Sequence, residues 1–303
     1  MTTDNILQTV GSAQENLTKV EASLFDVVKL QLHPNIEGFN SPQTFGVYKG
    51  TGGAPLGVMG DQFEPMQPKE FLESIVTTSH ESGADLKLET LKFNEYSSGS
   101  HIEFEVSLPP IEFTNAKKVN DVTEMKLVFT TSYNGSKSNK ISLFTKRLVC
   151  LNGMMAWGKN AESVLTAKNT AGGKKKILTY TNEVMKVMAG SEDYRNKIVA
   201  LNNIQVTQKQ VNEYISKLLG YDITDAEIMN PKRDRILDKI NQSIALEFDR
   251  TGDTMFGLLQ GITHYTNHVA NEGGKYTNDE YIRFHTGYKI NETAQRLAFA
   301  ELN

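Results

Sequence analysis

The chain has 303 residues, 39% of them hydrophobic, and its 32 Lys and Arg against 36 Asp and Glu give a formal net charge of −4. This balance is typical of a globular protein and excludes a disordered or fibrous chain, while a single cysteine excludes an internal disulfide and a cysteine-rich zinc site. The sequence shows neither a secretory leader nor an apolar run of about 18 residues, so we expect a cytoplasmic protein with no membrane partner.

An amphipathic helix is predicted near the beginning of the chain. Residues 5–31 place apolar side chains mostly at spacings of three and four, which is the helical period. A β-hairpin is predicted next, because the apolar runs 44–48 and 56–59 flank a glycine-rich turn. Another helix is predicted to begin at Pro68, since proline is favoured in the first turn of a helix.

From residue 86 to 150 the apolar period changes to two, which predicts strands. Asn134-Gly135 is the strongest local signal for a hairpin turn in the chain. We therefore expect an antiparallel meander. Its clearest strands are 102–106, 125–130 and 141–149.

The C-terminal third is predicted to be helical. Thr224 and Glu227 have the spacing of a capping box, which marks the beginning of a helix. The whole pattern indicates an α+β fold, with an antiparallel β-meander (a β-β-β-α core) and helices at both ends. We expect an N-terminal helix over 1–40, a basic α+β core over 41–190 and a helical region over 191–303 packed on the core. The later helices are predicted over 160–190, 205–219, 233–248, 253–270 and 290–302.

Positive charge is concentrated in the predicted core. Between Phe113 and Lys176 there are twelve basic residues and three acidic ones, a net charge of +9, which leaves −13 on the rest of the chain. Such a region is suited to binding nucleic-acid phosphates, and its aromatic rings to stacking on bases. The alternative is a solvated charged surface above buried rings. The predicted contact residues are Lys126, Tyr133, Lys137, Lys140, Phe144, Lys146, Arg147, Lys174, Lys175 and Lys176.

One segment matches part of the sequence motif of a phosphate-binding loop. Residues 153–160 match G-x-x-x-x-G-K, but Asn160 stands where a Ser or Thr must hold magnesium, and the interior of the loop is bulky. Nucleotide hydrolysis is therefore not expected. Cys150 lies between apolar neighbours, which predicts a buried and unreactive thiol.

Metal ligation is considered for three residues of a predicted helix. His264, His268 and Glu272 follow one another at single helical turns and are candidate ligands, although histidines at this spacing more often have packing or surface roles. No Ser-His-Asp or Cys-His set can be assembled with any specificity from the sequence. We expect no resident metal or cofactor, and a protein that is more readily explained as a binding protein than as an enzyme.

Five segments, 48–68, 131–137, 146–154, 258–268 and 289–300, carry a family resemblance. In the third of them, Arg147, Cys150 and Asn152 form an Arg-x-x-Cys-x-Asn pattern. This pattern resembles the hallmark of the phage and plasmid family catalogued as domain of unknown function 932. The resemblance implies a mobile-element origin, hence the cytoplasm of a bacterial host, and no settled activity.

The order and charge of the strands and helix between residues 86 and 188 also resemble ring-forming single-strand annealing proteins. In those proteins a hairpin and the following helix line a positive groove that holds a single strand by its backbone. The leading hypothesis is therefore a phage-encoded protein that binds and anneals single-stranded DNA as a homo-oligomer, in a ring or filament, without a catalytic step. A phage nuclease or a host protein is a further candidate partner. The alternatives are an anti-defence or host-takeover protein that binds a host protein, and a metal-dependent enzyme that uses His264 and His268.

Overall fold

The computed structural model describes residues 3–32, 43–81, 86–148, 152–156, 164–178 and 181–302. The chain divides into two compact units that alternate along the sequence. The first unit consists of Met1–Leu108, Lys126–Ser142 and Val164–Met188, and the second of Pro109–Met125, Leu143–Ser163 and Ala189–Asn303.

The described residues form an α+β fold, as predicted. The helices are α1 (Thr3–Ala22), α2 (Pro68–Glu81), α3 (Ala171–Leu178), α4 (Thr181–Leu201), α5 (Gln208–Leu219), α6 (Pro231–Thr251), α7 (Met255–His264), α8 (Asn278–Phe284) and α9 (Thr286–Ala300). The strands are β1 (Val27–Gln31), β2 (Thr44–Lys49), β3 (Pro55–Gly60), β4 (Lys92–Tyr96), β5 (His101–Thr114), β6 (Asn120–Ser132), β7 (Asn139–Arg147), β8 (Gly153–Ala156) and β9 (Val164–Ala167). No helix among the described residues is long and apolar enough to cross a membrane.

These strands form two sheets. The smaller sheet has the order β1-β2-β3, and the larger one the order β4-β5-β6-β7-β8, with β9 also paired to β7. The edge of β7 is shared: residues 139–142 pair with β9, and residues 143–146 pair with β8. The predicted meander is confirmed by the sequential order of β4 to β7, and Gly135 adopts φ +71° in the turn between β6 and β7.

The N-terminal helix is shorter than predicted. Helix α1 ends at Ala22, and residues 27–31 of the predicted helix form strand β1, which pairs with β2. The helical spacing of apolar residues continues by chance into β1, whose residues pair with residues of β2 that lie 14 to 22 positions further along the chain. The hairpin of β2 and β3 and the beginning of α2 at Pro68 are confirmed.

The C-terminal helices are confirmed with shifted boundaries and caps. The capping box lies at Thr207 and Gln210, before α5, and a second one at Thr277 and Glu280 precedes α8, which the sequence did not predict. Asn230 caps α6, so the predicted capping box at 224–227 is wrong. Residues 265–269 continue α7 as a π-helical turn. Part of the predicted helix 160–190 is strand β9, followed by α3 and the beginning of α4.

Aromatic rings occupy the core of the first unit. Phe71 of α2 packs edge-on against Phe104 of β5 and Phe129 of β6, with ring centroids 5.8 and 6.0 Å apart. All three side chains are fully buried. One face of these strands is therefore committed to the core beneath α2.

Candidate nucleic-acid interface

Two segments of the first unit carry lysines and no acidic residue. Residues 126–142 contain Lys126, Lys137 and Lys140, and residues 164–178 contain Lys168 and the run 174–176. The antiparallel pairing of β7 with β9 joins these segments. A concentration of positive charge that is only a count in the sequence thus becomes a feature of neighbouring strands.

The register of this pairing places part of the charge on one exposed face. Lys140 lies opposite Thr166, so their side chains point to the same side of the sheet, and Lys168 follows two residues after Thr166. Thr166 and Lys168 are exposed, and Lys140 is half-buried. The opposite side of this pair carries the buried side chains of Ile141 and Leu165.

An open groove of about 500 Å³ lies beside this face, and it is formed by three loops, 60–63, 135–138 and 168–170. Lys137 and Lys168 bring positive charge to its lining, together with the hydroxyl groups of Ser136 and Thr170. Asp61 is the acidic residue of the lining, and its carboxylate accepts a hydrogen bond from the Gln62 N–H at 2.8 Å. The groove therefore offers ammonium and hydroxyl donors to an anion.

Asn169 holds the three loops together, and the sequence analysis missed this residue. Its side-chain amide donates to the carbonyl oxygens of Ser132 (2.8 Å) and Lys137 (2.9 Å), and its Oδ1 accepts from the Asn139 N–H at 2.9 Å. Its backbone carbonyl accepts from the Glu64 N–H at 2.9 Å. One asparagine thus fixes the positions of the lysines on either side of the groove.

Helix α3 begins at the groove. Thr170 lines the groove and its hydroxyl accepts a hydrogen bond from the Gly173 N–H at 3.3 Å. Lys174 turns away toward α2, where its ammonium group lies 2.7 Å from a Glu70 carboxylate oxygen. Lys175 and Lys176 are exposed. Of the predicted lysine run, the first member anchors the helix and the other two face solvent.

Two other predicted contact lysines have different surroundings. Lys126 forms an ion pair with Glu105 at 2.8 Å, and only 15% of its side chain is exposed. Its charge is therefore largely compensated within the protein. Lys146 is half-buried and belongs to the second unit. We define the lysine surface as Lys137, Lys140, Lys168, Lys175 and Lys176, all of the first unit.

Both aromatic residues predicted to stack on bases are buried. Tyr133 is fully buried and its hydroxyl donates to the Met66 carbonyl oxygen at 2.8 Å. Burial, and next the negative charge of Glu70, raise the pKa of this tyrosine well above its usual value. Phe144 is 2% exposed, and the Arg283 guanidinium lies 3.9 Å from the centre of its ring. The stacking assignment is withdrawn for both residues, because neither ring has a face for a base.

Arg147 is also unavailable to a phosphate. It is 1% exposed, its guanidinium donates to both carboxylate oxygens of Asp121, and its Nη1 donates to Glu247 at 2.6 Å. Arg250 completes the network by donating to the other Glu247 oxygen at 2.8 Å. We correct the assignment of Arg147 from a contact residue to the centre of a buried ion-pair network in the second unit.

His264 and His268 lie close together, but each has a protein partner. Their ring centroids are 4.8 Å apart, His264 Nδ1 is 3.3 Å from the Ser243 hydroxyl, and His268 Nε2 is 3.1 Å from the Asn152 side-chain oxygen. The carboxylate of Glu272, the third candidate, forms an ion pair with Lys239 at 3.2 Å. Within the described residues, no group of three His, Cys, Asp or Glu side chains is arranged to hold a metal ion.

Some predictions concern residues outside those that the structure describes. They are the burial of Cys150 and the G-K part of the loop at 153–160. They stay predictions.

Comparison with known protein families identified a match. The family model described as "Domain of unknown function (DUF932)" matches residues 55–296. No curated protein and no solved structure matches the chain.

Proposed function

The chain belongs to the DUF932 family. We propose that it binds single-stranded DNA on the lysine surface and promotes the annealing of complementary strands as a homo-oligomer. The observation that carries the proposal is the pairing of β7 with β9, which joins two segments without acidic residues. Together the two segments contain seven lysines, five of which form the lysine surface. Annealing itself needs no chemical step, because base pairing supplies the free energy once two strands are held extended.

The burial of Tyr133 and Phe144 limits the proposed binding to contacts with the phosphate backbone. With those rings inside the protein, affinity depends on phosphate contacts and hardly on base identity. A strand held by its phosphates leaves its bases accessible to a complementary strand. We therefore expect binding that is independent of sequence and strongly dependent on salt.

The salt dependence gives the first test. If four of the five lysines of the lysine surface neutralise phosphates, the logarithm of the association constant falls with the logarithm of salt concentration at a slope of about −3. Each contact then contributes about 0.7 of a log unit at about 0.1 M salt, so losing two contacts costs roughly 25-fold in affinity. The measurement is fluorescence anisotropy of a labelled oligothymidylate at several salt concentrations.

Charge reversal locates the site. We expect Lys137→Glu/Lys168→Glu to weaken binding by at least this roughly 25-fold and to flatten the slope to about −1.4. The control is Lys209→Glu/Lys232→Glu, which makes the same charge change at two exposed lysines of the second unit and is expected to bind as the wild type does. Equal losses in both variants would show a general charge effect, and no binding by the wild type would overturn the proposal.

A further inference from the structure

A serine and a histidine meet at the edge of the groove, although 35 residues separate them in the sequence. Ser136 Oγ lies 2.7 Å from His101 Nε2. Ser136 is exposed and lines the groove, whereas His101 is only 3% exposed and lies behind it. This is the arrangement of an accessible hydroxyl with a sheltered base.

His101 is held in place by strand pairing, and Ser136 is held by hydrogen bonds within its turn. His101 is the first residue of β5 and pairs with Tyr96 of β4. The turn that carries Ser136 is fixed by Asn134, whose Oδ1 accepts from the Ser136 N–H at 3.0 Å and from the Ser132 hydroxyl at 2.9 Å. The short distance between the hydroxyl and the imidazole is therefore built into the turn and the strand.

A serine hydroxyl is a weak nucleophile until a neighbouring base accepts its proton. In the tautomer with the proton on Nδ1, His101 Nε2 accepts a hydrogen bond from the hydroxyl of Ser136, at a distance within the usual range for such pairs. Glu103 lies two residues further along β5, on the same face and fully buried. Glu103 and the imidazole of His101 therefore share the sheltered side of this strand.

The lining of the groove indicates the kind of electrophile. Lys137 and Lys168 line the same groove as Ser136, and their positive charges favour an anionic substrate over a neutral ester. We propose that Ser136, activated by His101, is a nucleophile toward phosphodiesters held by Lys137 and Lys168. The phosphodiester of a bound strand is the natural source, and in this respect the inference rests on the proposed function.

The step balances without a further reactant. The Ser136 Oγ forms a bond to phosphorus, and the bond from phosphorus to the leaving oxygen breaks. His101 receives the serine proton and returns it to that leaving oxygen. The product is a phosphodiester between Ser136 and the remaining part of the substrate. An ordinary structural hydrogen bond in the turn would produce no such adduct.

The test uses bis(4-nitrophenyl) phosphate, an anionic phosphodiester whose leaving group is coloured. We expect a burst of close to one equivalent of nitrophenolate and an adduct on the Ser136 peptide in mass spectrometry. Ser136→Ala should abolish both, and His101→Gln should slow the burst about 100-fold or more. Lys137→Ala/Lys168→Ala should raise the concentration of the diester at which the burst rate is half-maximal.

A matched serine control and a folding control complete the design. Ser12→Ala, which changes an exposed serine of α1, should give the burst of the wild type. Circular dichroism checks that each variant is folded, and Ser136→Ala changes an exposed side chain, so its result can be interpreted even if His101→Gln fails to fold. No burst from the wild type, or a burst that persists in Ser136→Ala, would overturn the inference.

Oligonucleotide binding by the wild type, measured in parallel, separates this inference from the proposed function. Binding without a burst would overturn the nucleophile and leave the strand-binding proposal intact. A burst without binding would support the nucleophile and overturn the strand-binding proposal.

Discussion

Arg147 illustrates how burial changes the meaning of a charged residue. In the sequence it is one of two adjacent basic residues in a basic strand, but alternation along β7 sends Lys146 and Arg147 to opposite faces. Lys146 is half-buried, whereas Arg147 lies among Asp121, Glu247 and the ring of Phe256. The surrounding carboxylates compensate its charge. Its role is to connect β7 to Asp121 at the beginning of β6 and to Glu247 of α6, within the second unit.

We therefore predict a large stability difference between these neighbours. Arg147→Ala should lower the free energy of unfolding by about 3–5 kcal/mol, because it leaves the buried carboxylate of Asp121 without its cation and leaves Glu247 with Arg250 alone. Lys146→Ala, the adjacent control, should change it by no more than about 0.5 kcal/mol. Urea unfolding followed by circular dichroism measures both, and similar losses for the two variants would contradict the network.

His264 predicts a pH dependence of stability. Burial, and next the charge of His268, lower the pKa of His264 below its ordinary value of 6.5, and Arg250 acts in the same direction while Glu247 opposes it. The folded protein thus favours the neutral ring, and the stability gained is complete above pH 6.5 and is lost as pH falls toward the lowered pKa.

Unfolding curves recorded on either side of pH 6.5 test this expectation. In the wild type, the free energy of unfolding should decrease as the pH is lowered below 6.5. His264→Gln should make this decrease smaller. His80→Gln, at an exposed histidine of α2, should leave the profile as it is in the wild type. A steeper fall in His264→Gln would show that the sign is wrong.

At the scale of elements, close packing of α6 and α7 depends on a glycine. A Cβ added at Gly261 would lie 2.6 Å from the Cα of Ile244, a backbone atom of α6 that cannot move without the helix. Gly261→Ala should therefore cost about 1–3 kcal/mol of stability. Gly172, in α3, has nothing within 4 Å of the added atom, so Gly172→Ala should stabilise by about 0.4–1 kcal/mol. Thermal unfolding compares the two, and equal effects would contradict this difference in packing.

Side-chain amides connect elements where strands end. Asn267, in the π-helical turn, bonds both the N–H (3.1 Å) and the carbonyl oxygen (3.0 Å) of Gly153, as a neighbouring strand would. Asn152, of the Arg-x-x-Cys-x-Asn pattern of this chain, donates to the Gln260 carbonyl at 3.2 Å. Arg147 and Asn152 thus both bind helices of the second unit, which gives the described part of the pattern a structural role.

At the scale of the whole molecule, annealing requires more than one copy. A protein that holds one strand by its phosphates brings a second strand to it only if another strand-bearing surface is near. The chain as a whole has a net charge of −4 while the lysine surface is positive, so the remainder of each copy carries negative charge that can attract the lysine surface of another. Under the proposed function, a strand bound to two copies would also join them.

We therefore predict self-association. Light scattering at micromolar protein, with and without an oligothymidylate, should give a mass of at least two copies, and the mass should increase when the strand is added. Double-stranded DNA of equal length is the control, because it shows whether any polyanion of that length brings several copies together. A monomer under all of these conditions would contradict the annealing part of the proposal while leaving strand binding untouched.

The sequence by itself determined the α+β class, the meander, most of the helices and the basic segments. These depend on local periods, turn residues and composition, all of which act over a few neighbouring residues. The same local signals failed at β1, whose apolar spacing continues that of α1, and at β9, where four residues are too few to show a period. They also missed α8, only seven residues long.

Only the tertiary structure decided which polar side chains are exposed and can contact a ligand. Whether a lysine is exposed or paired with Glu105 or Glu70 depends on strand register and helix packing, and so does the burial of Tyr133 and Arg147. His101 and Ser136, which form a hydrogen bond, are 35 positions apart in the sequence. The hydrogen bonds of Asn169 to Asn139 and Ser132 span 30 and 37 positions. Local sequence patterns carry no information on such distances, because they are set by how the loops and strands pack.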